Sequence, residues 1–143
     1  MSGSKDSSFW LSMTVKYIQT IGRRKTAMAQ VRLYPGGSGK ITINNREFED
    51  YIKLSQLRDI IVTPLRDVGK LNEVDITVRT VGGGQTGQSD AIKLGIARAL
   101  VKWDESLKTV IKTHGFLTRD SRKKERKKFG KRGARRSPQW RKR

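Results

Sequence analysis

Between two apolar runs of the chain lies Gly82-Gly83-Gly84-Gln85-Thr86-Gly87, a match to G-x-G-x-x-G. At this spacing bare backbone can approach a phosphate, and the N–H groups of a following helix can point at it. The flanks fit such a loop, because Val74, Ile76, Val78 and Thr80 alternate as a strand before it. After it, Ile92, Ile96, Leu100 and Trp103 recur at helical spacing. The rest of a dinucleotide unit is missing: residues 104–118 read as helix, where a further parallel strand ending in an acid is required. Read as G-x-x-x-x-G-K-[ST], the stretch fails at Gln88, which stands where a lysine should neutralise nucleotide phosphates, although Ser89 fits. Two compatible readings remain. The glycines make a tight strand-to-helix turn, or they let a phosphate backbone come close, with Gly82, Gly83, Gly84 and Gln88 as the contacts.

The second chemistry is cationic. The 143 residues carry Lys+Arg 32 against Asp+Glu 13, a formal net charge of +19, a balance that favours polyanionic partners. Residues 119–143 hold 14 of these cations and 2 acidic residues, so this arm is physically distinct from the rest. Its candidate contacts are Arg119, Arg122, Lys123, Lys124, Arg126, Lys127, Lys128, Lys131, Arg132, Arg135 and Arg136, followed by Arg141, Lys142 and Arg143. Such a segment buries too little apolar surface to fold alone and orders when anionic groups surround it. Its start reads as helical as far as Lys128, and Gly130, Gly133 and Pro138 make the remainder extended. Phe129 and Trp140 are placed to stack or wedge. A second cluster, Arg23-Arg24-Lys25, falls just after the expected first strand, a fixed point from which cations reach RNA phosphates.

Other chemistries are poorly supplied. With no cysteine and one histidine, His114, the chain has no disulfide, thiol nucleophile or His/Cys metal set. Glu47, Glu49 and Asp50, like Asp104 and Glu105, sit at expected helix starts, where carboxylates offset the macrodipole. No enzymatic activity, metal or cofactor is expected. No apolar run reaches the roughly 20 residues of a spanning helix.

The elements that must position these residues follow from periodicity. A β-rich run from Val15 to Ile21 precedes the alternation of Ala27, Ala29, Val31 and Leu33, with Met28, Gln30, Arg32 and Tyr34 on the other face. Pro35 to Gly39 then reads as the glycine-rich tip of a hairpin whose second strand runs from Lys40 to Ile43. Phe48, Tyr51 and Ile52 mark a short helix. Ser55 is placed to cap a second, which Pro64 should end. Asp104 caps a last helix through Leu107, Val110, Ile111 and His114, closed by Gly115. Four strands with helices between and after them predict an α+β fold, a two-layer sandwich with helices on one sheet face. The expected organisation is a disordered N-terminal extension over residues 1–14, a globular RNA-binding domain over 15–118, and the basic tail over 119–143.

The stretches TIGRRKTAMAQVRLYPG, VRTVGGGQTGQSDAIKLGIARAL, DESLK and GFLTRDSRKKERKKFGKRGARRSPQWRKR closely resemble the bacterial-type family of small-subunit ribosomal protein nine, over Val15 to Arg143. The GRRK cluster, the GGG-x-x-GQ loop, the TRD junction and the RR-x-PQ-x-x-KR ending occur in the family's order. The resemblance implies a fold like the second domain of ribosomal protein five, placed in the head of the small subunit beside neighbouring head proteins. It implies a tail that threads through head ribosomal RNA until its end touches the anticodon-arm phosphates of transfer RNA in the peptidyl site. By match, Lys142 and Arg143 occupy that end, approached through Pro138 and Gln139. Trp140 stands where the family usually has Phe or Tyr, and Arg141 where it commonly has a small hydroxyl residue, so this ending carries an extra charge. A cytoplasmic ribosome is expected rather than an organellar one, because residues 1–14 lack arginine and contain Asp6.

Two rival functions share part of this pattern. A nucleotide-dependent enzyme would rest on Gly82 to Ser89 alone, and absence of ATP or NAD binding by calorimetry would end it. A membrane-surface protein would use the arm on anionic lipids, yet no amphipathic anchor or lipidation cysteine accompanies it.

Overall fold

In a computed structural model, which describes residues 16–142, the longest alternating runs become the centre of a five-stranded sheet. The strands are β1 (Ile18–Arg24), β2 (Ala27–Pro35), β3 (Ile41–Ile43), β4 (Arg46–Glu47) and β5 (Val74–Val81), in the order β1-β2-β5-β3-β4. The helices are α1 (Phe48–Tyr51), α2 (Ser55–Asp67), α3 (Gln85–Trp103) and α4 (Lys108–Thr113), with a 3-10 turn at Glu105–Leu107 before the last. This is the expected mixture of sheet and helix. The extension expected over residues 1–14, the proposed strand start at Val15 and the terminal Arg143 lie outside the described residues.

Period-two patterning decides which sheet face is buried. Ala27, Ala29, Val31 and Leu33 of β2 and Val74, Ile76 and Val78 of β5 point into one core, which Ile92, Ile96 and Leu100 of α3 and Leu57, Ile61 and Leu65 of α2 complete. Helix α3 packs across β1 and β2, and α2 lies against α3. The close approach of α3 to β1 depends on small residues. A Cβ on Gly22 would meet the Ala91 carbonyl oxygen and lie 2.6 Å from the Gly95 nitrogen. Two side chains then stitch the layers, Thr20 Oγ1 donating to Gly95 O and Arg98 Nη1 to Ile21 O, both at 2.7 Å.

The expected hairpin at Pro35 to Gly39 does not form. Strands β2 and β3 are separated by β5, which is antiparallel to β2 and parallel to β3. The glycine-rich loop instead wraps the end of β5. Gly36 and Gly37 donate to Glu73 O at 3.0 Å, and the N–H groups of Ser38, Gly39 and Lys40 all donate to Asp75 Oδ1 within 3.1 Å. Those bonds hold the Asp75 carboxyl below its ordinary range, that from Lys40 foremost. The true tight hairpins lie elsewhere. One turns at Lys25-Thr26 between β1 and β2, and the other at Asn44-Asn45 between β3 and β4, where both asparagines take positive φ.

Three smaller expectations also fail. Pro64 does not end its helix: α2 continues to Asp67 with the proline ring buried in the core, where packing outweighs one lost backbone bond. Ser55 is the first residue of that helix and makes no capping bond, the N-cap position being Leu54. In the last helix, Ile111 is buried but Val110 is exposed. Asp104 caps as expected, accepting from Ser106 N at 3.0 Å and closing the 3-10 turn before α4, and Gly115 follows with φ of 73°.

Candidate nucleic-acid interface

The basic cluster and the glycine loop meet at one end of the sheet. Arg23 and Arg24 are the last two residues of β1 and only Lys25 lies in the turn, because the strand runs three residues past the expected Ile21. The turn abuts the loop that follows β5. Gly82 and Gly83 take φ of 75° and 65°, and a Cβ on either would come within 3.0 Å of Thr26 O or Ala27 Cβ. Backbone conformation and close approach therefore both require glycine at these two positions. Gly84 differs: its φ is −102° and nothing lies within 4 Å of where its Cβ would stand. An open side of the loop remains for a ligand's backbone, next to the first turn of α3, which carries no side-chain cap.

Gln88, which stands where a nucleotide-binding loop would carry its lysine, is engaged within the fold. Its Nε2 donates to Gly82 O at 3.0 Å, while its Oε1 accepts from the Tyr51 hydroxyl at 2.8 Å. The side chain thus fixes the loop to the α1 region. Ser89 is fully buried and its hydroxyl donates to Gln85 O at 2.7 Å, so it is turned inward along its own helix and is not presented to a metal-bound phosphate.

Arg24 is already engaged within the chain. Its side chain is 11% exposed and forms ion pairs with Asp90 of α3 at 3.5 Å and with Asp120 at 3.2 Å, while Nη1 donates to the Arg122 carbonyl. Asp120 also receives the Arg122 guanidinium, at 2.8 Å to Oδ2, and the Arg122 backbone N–H at 2.9 Å. Those bonds, led by the Arg122 side chain, hold the Asp120 carboxyl far below its usual range and raise Arg122. This clamp fixes the point at which the arm leaves the folded part. It lines a 260 Å³ cleft together with Arg23, Lys93 and Phe116. The pairing was not legible in the sequence, because Arg24, Asp90 and Asp120 are distant along the chain and no local pattern links them.

Beyond the clamp, the arm departs from expectation. Residues 119–128 form no helix, and beyond Phe129 the chain is not extended at once. It turns at Gly130 (φ 73°), and a loop is closed by Arg132 N donating to Arg136 O at 2.8 Å. Consecutive like charges and the scarcity of acids oppose a helix here, whereas Glu125 draws Lys128 (2.7 Å) and Arg135 (3.1 Å) together across the turn. Both acidic residues of the arm are thus paired inside the chain. Among the described residues, Arg119, Lys123, Lys124, Arg126, Lys127, Lys131, Arg132, Arg136, Arg141 and Lys142 make no ion pair, and all ten are exposed. Phe129 is 98% exposed and Trp140 79%, so neither ring serves the core and both are presented for stacking. Arg143 lies outside the described residues. No helix of the described residues is long and apolar enough to cross a membrane.

Arg23 and the root of the arm thus meet at one cleft, and Lys25 and the glycine loop lie at the same end of the sheet. A comparison with known families returns a match over residues 22–143 to the one described as ribosomal protein S9/S16.

Proposed function

Because the chain belongs to the ribosomal protein S9/S16 family, and is by that membership a structural constituent of the ribosome, we propose that it binds small-subunit head ribosomal RNA through its arm and contacts peptidyl-site transfer RNA with the arm's end. The observation that carries the reading is the state of the arm's charges. Its two carboxylates are paired internally, and its ten unpaired cations among the described residues are exposed, with exposed aromatic rings among them. That is the composition of a segment that neutralises phosphates and orders as it does so.

Within this reading, Arg119, Arg122, Lys123, Lys124, Arg126, Lys127, Lys128, Lys131, Arg132, Arg135 and Arg136 line the ribosomal RNA path. Arg23 and Lys25 extend it onto the sheet end, and Arg24 serves it by holding the arm's root. Gly82, Gly83 and Gly84 admit an RNA phosphate beside the uncapped start of α3, and Gln88 shapes that loop. Arg141, Lys142 and Arg143 reach the transfer RNA. The chain acts without catalysis in a cytoplasmic ribosome, beside other head proteins, and its sheet and helices take the form of the second domain of ribosomal protein five. The organisation is that of an N-terminal extension over 1–14, a folded unit over 15–118 and an arm over 119–143.

Removal of Lys142 and Arg143 tests the finer part. Small subunits carrying a chain that ends at Arg141 should assemble normally yet release peptidyl-site transfer RNA faster, as measured by filter retention of labelled tRNA. Unchanged retention would refute the contact.

A further inference from the structure

One sheet face is covered by helices; the other presents a second cationic surface that neither the arm nor the glycine loop accounts for. Strand register places Arg32 opposite Thr77 and Gln30 opposite Arg79. The two arginines are therefore diagonal neighbours on one face of the β2–β5 pair, at a separation where like charges repel. Among the described residues neither forms an ion pair with a carboxylate. Asp75, an acid on this face, accepts three backbone N–H bonds at Oδ1 and forms an ion pair with neither arginine. Arg32, Arg79, Gln30, Thr77 and Asn45 line a cleft of about 540 Å³, within the size range of small-molecule sites. At its side Tyr17 and Tyr34 pack with centroids 5.6 Å apart, and the Arg32 guanidinium lies 4.9 Å from the Tyr17 ring centre. Tyr17 is 44% exposed.

Guanidinium groups match phosphate geometry, side-chain amides read base edges, and tyrosine rings on a sheet stack unpaired bases. We propose that this sheet face binds an unpaired stretch of RNA, with one phosphate held between Arg32 and Arg79 and an adjacent base against the Tyr17–Tyr34 pair. The inference rests on the reading that the chain is an RNA binder and adds a surface to it. Charge favours RNA over an ordinary protein interface as occupant: such an interface would desolvate both cations, whereas a phosphodiester brings one negative charge that both guanidinium groups can bond.

The test is photo-crosslinking of the full chain to a thiouridine-substituted oligouridine, followed by peptide mapping. Crosslinks are expected on the peptides carrying Tyr17 or Tyr34 as well as on the arm. Arg32→Gln with Arg79→Gln should reduce the sheet crosslinks about tenfold, the equivalent of one charge-assisted phosphate contact, and leave the arm crosslinks in place. Arg32→Lys with Arg79→Lys should restore most of the yield, which distinguishes a phosphate contact from a packing role. The salt slope of binding should fall by about 0.7 in the glutamine variant, one phosphate's share on a single strand. Circular dichroism checks that both variants keep the native fold. Crosslinks confined to the arm would overturn the sheet-face site while leaving the arm reading intact; no RNA binding by the full chain would overturn both.

Discussion

Replacing Gly22 with alanine tests how the folded part is held together, and the cost can be worked from the contacts. The added methyl would meet the backbone of α3 at Ala91 O and Gly95 N rather than a movable side chain, so relief requires the helix to retreat from β1. Overpacking of this kind costs about 1–3 kcal/mol and sometimes more; a rigid backbone neighbour places Gly22→Ala at the upper end. The retreat also stretches the 2.7 Å bond from Thr20 Oγ1 to Gly95 O, worth about 1 kcal/mol. A loss of about 4 kcal/mol follows, and at roughly 4–8 °C per kcal/mol for a domain near 100 residues the melting temperature should fall by at least about 15 °C. Thermal unfolding followed by circular dichroism gives the number. Gly84→Ala is the internal control, because its Cβ enters open space at an ordinary φ; its stability should change by less than about 0.5 kcal/mol. A Gly22→Ala protein melting within a few degrees of the parent would refute the claim that α3 is seated on β1 by this glycine.

Two further outcomes follow from charged groups. The folded Asp75 carboxyl is held below its unfolded value by the Lys40, Ser38 and Gly39 N–H groups. Its stabilisation is therefore complete above the unfolded value and is lost as pH falls through the lowered folded one; melting temperatures scanned downward from about pH 5 should drop more steeply in the parent than in Asp75→Asn, and equal slopes would count against the loop-binding role. Arg24→Met removes the cation shared by Asp90 and Asp120, so hydrogen exchange at the Arg122 amide, which Asp120 accepts, should accelerate while core amides of β5 stay protected. Unchanged exchange at Arg122 would show that the arm's root does not depend on Arg24.

Local periodicity made the core legible and long-range order invisible. Ile92, Ile96 and Leu100 announced α3, and alternation from Ala27 to Leu33 announced β2, because each pattern depends only on which face is buried. The insertion of β5 between β2 and β3 left no local mark: turn residues at Pro35 to Gly39 look the same whether the chain doubles back on its neighbour or wraps a third strand. The partner that holds the loop against β5, the Asp75 carboxylate, lies many residues away. β4 escaped notice because two residues carry no period. At the candidate interface, sequence located the cations and the glycines but not their division of labour. Arg23 and Lys25 remain exposed, whereas Arg24 is half-buried in a clamp whose acids come from α3 and from the arm itself. Arg32 and Arg79 were missed for the related reason that each lies alone in an alternating strand, and only register makes them neighbours.

The central claim is that the arm binds RNA by neutralising phosphates with its unpaired cations. It is tested most directly by the salt dependence of binding to a small-subunit head ribosomal RNA fragment, measured by filter binding for the parent and for Arg126→Gln, Lys127→Gln, Arg132→Gln and Arg136→Gln combined. At about 0.7 per phosphate on single strands, the slope of log K against log salt should become shallower by about 2 to 3, with the melting temperature unchanged. An identical slope in the two proteins would contradict the account.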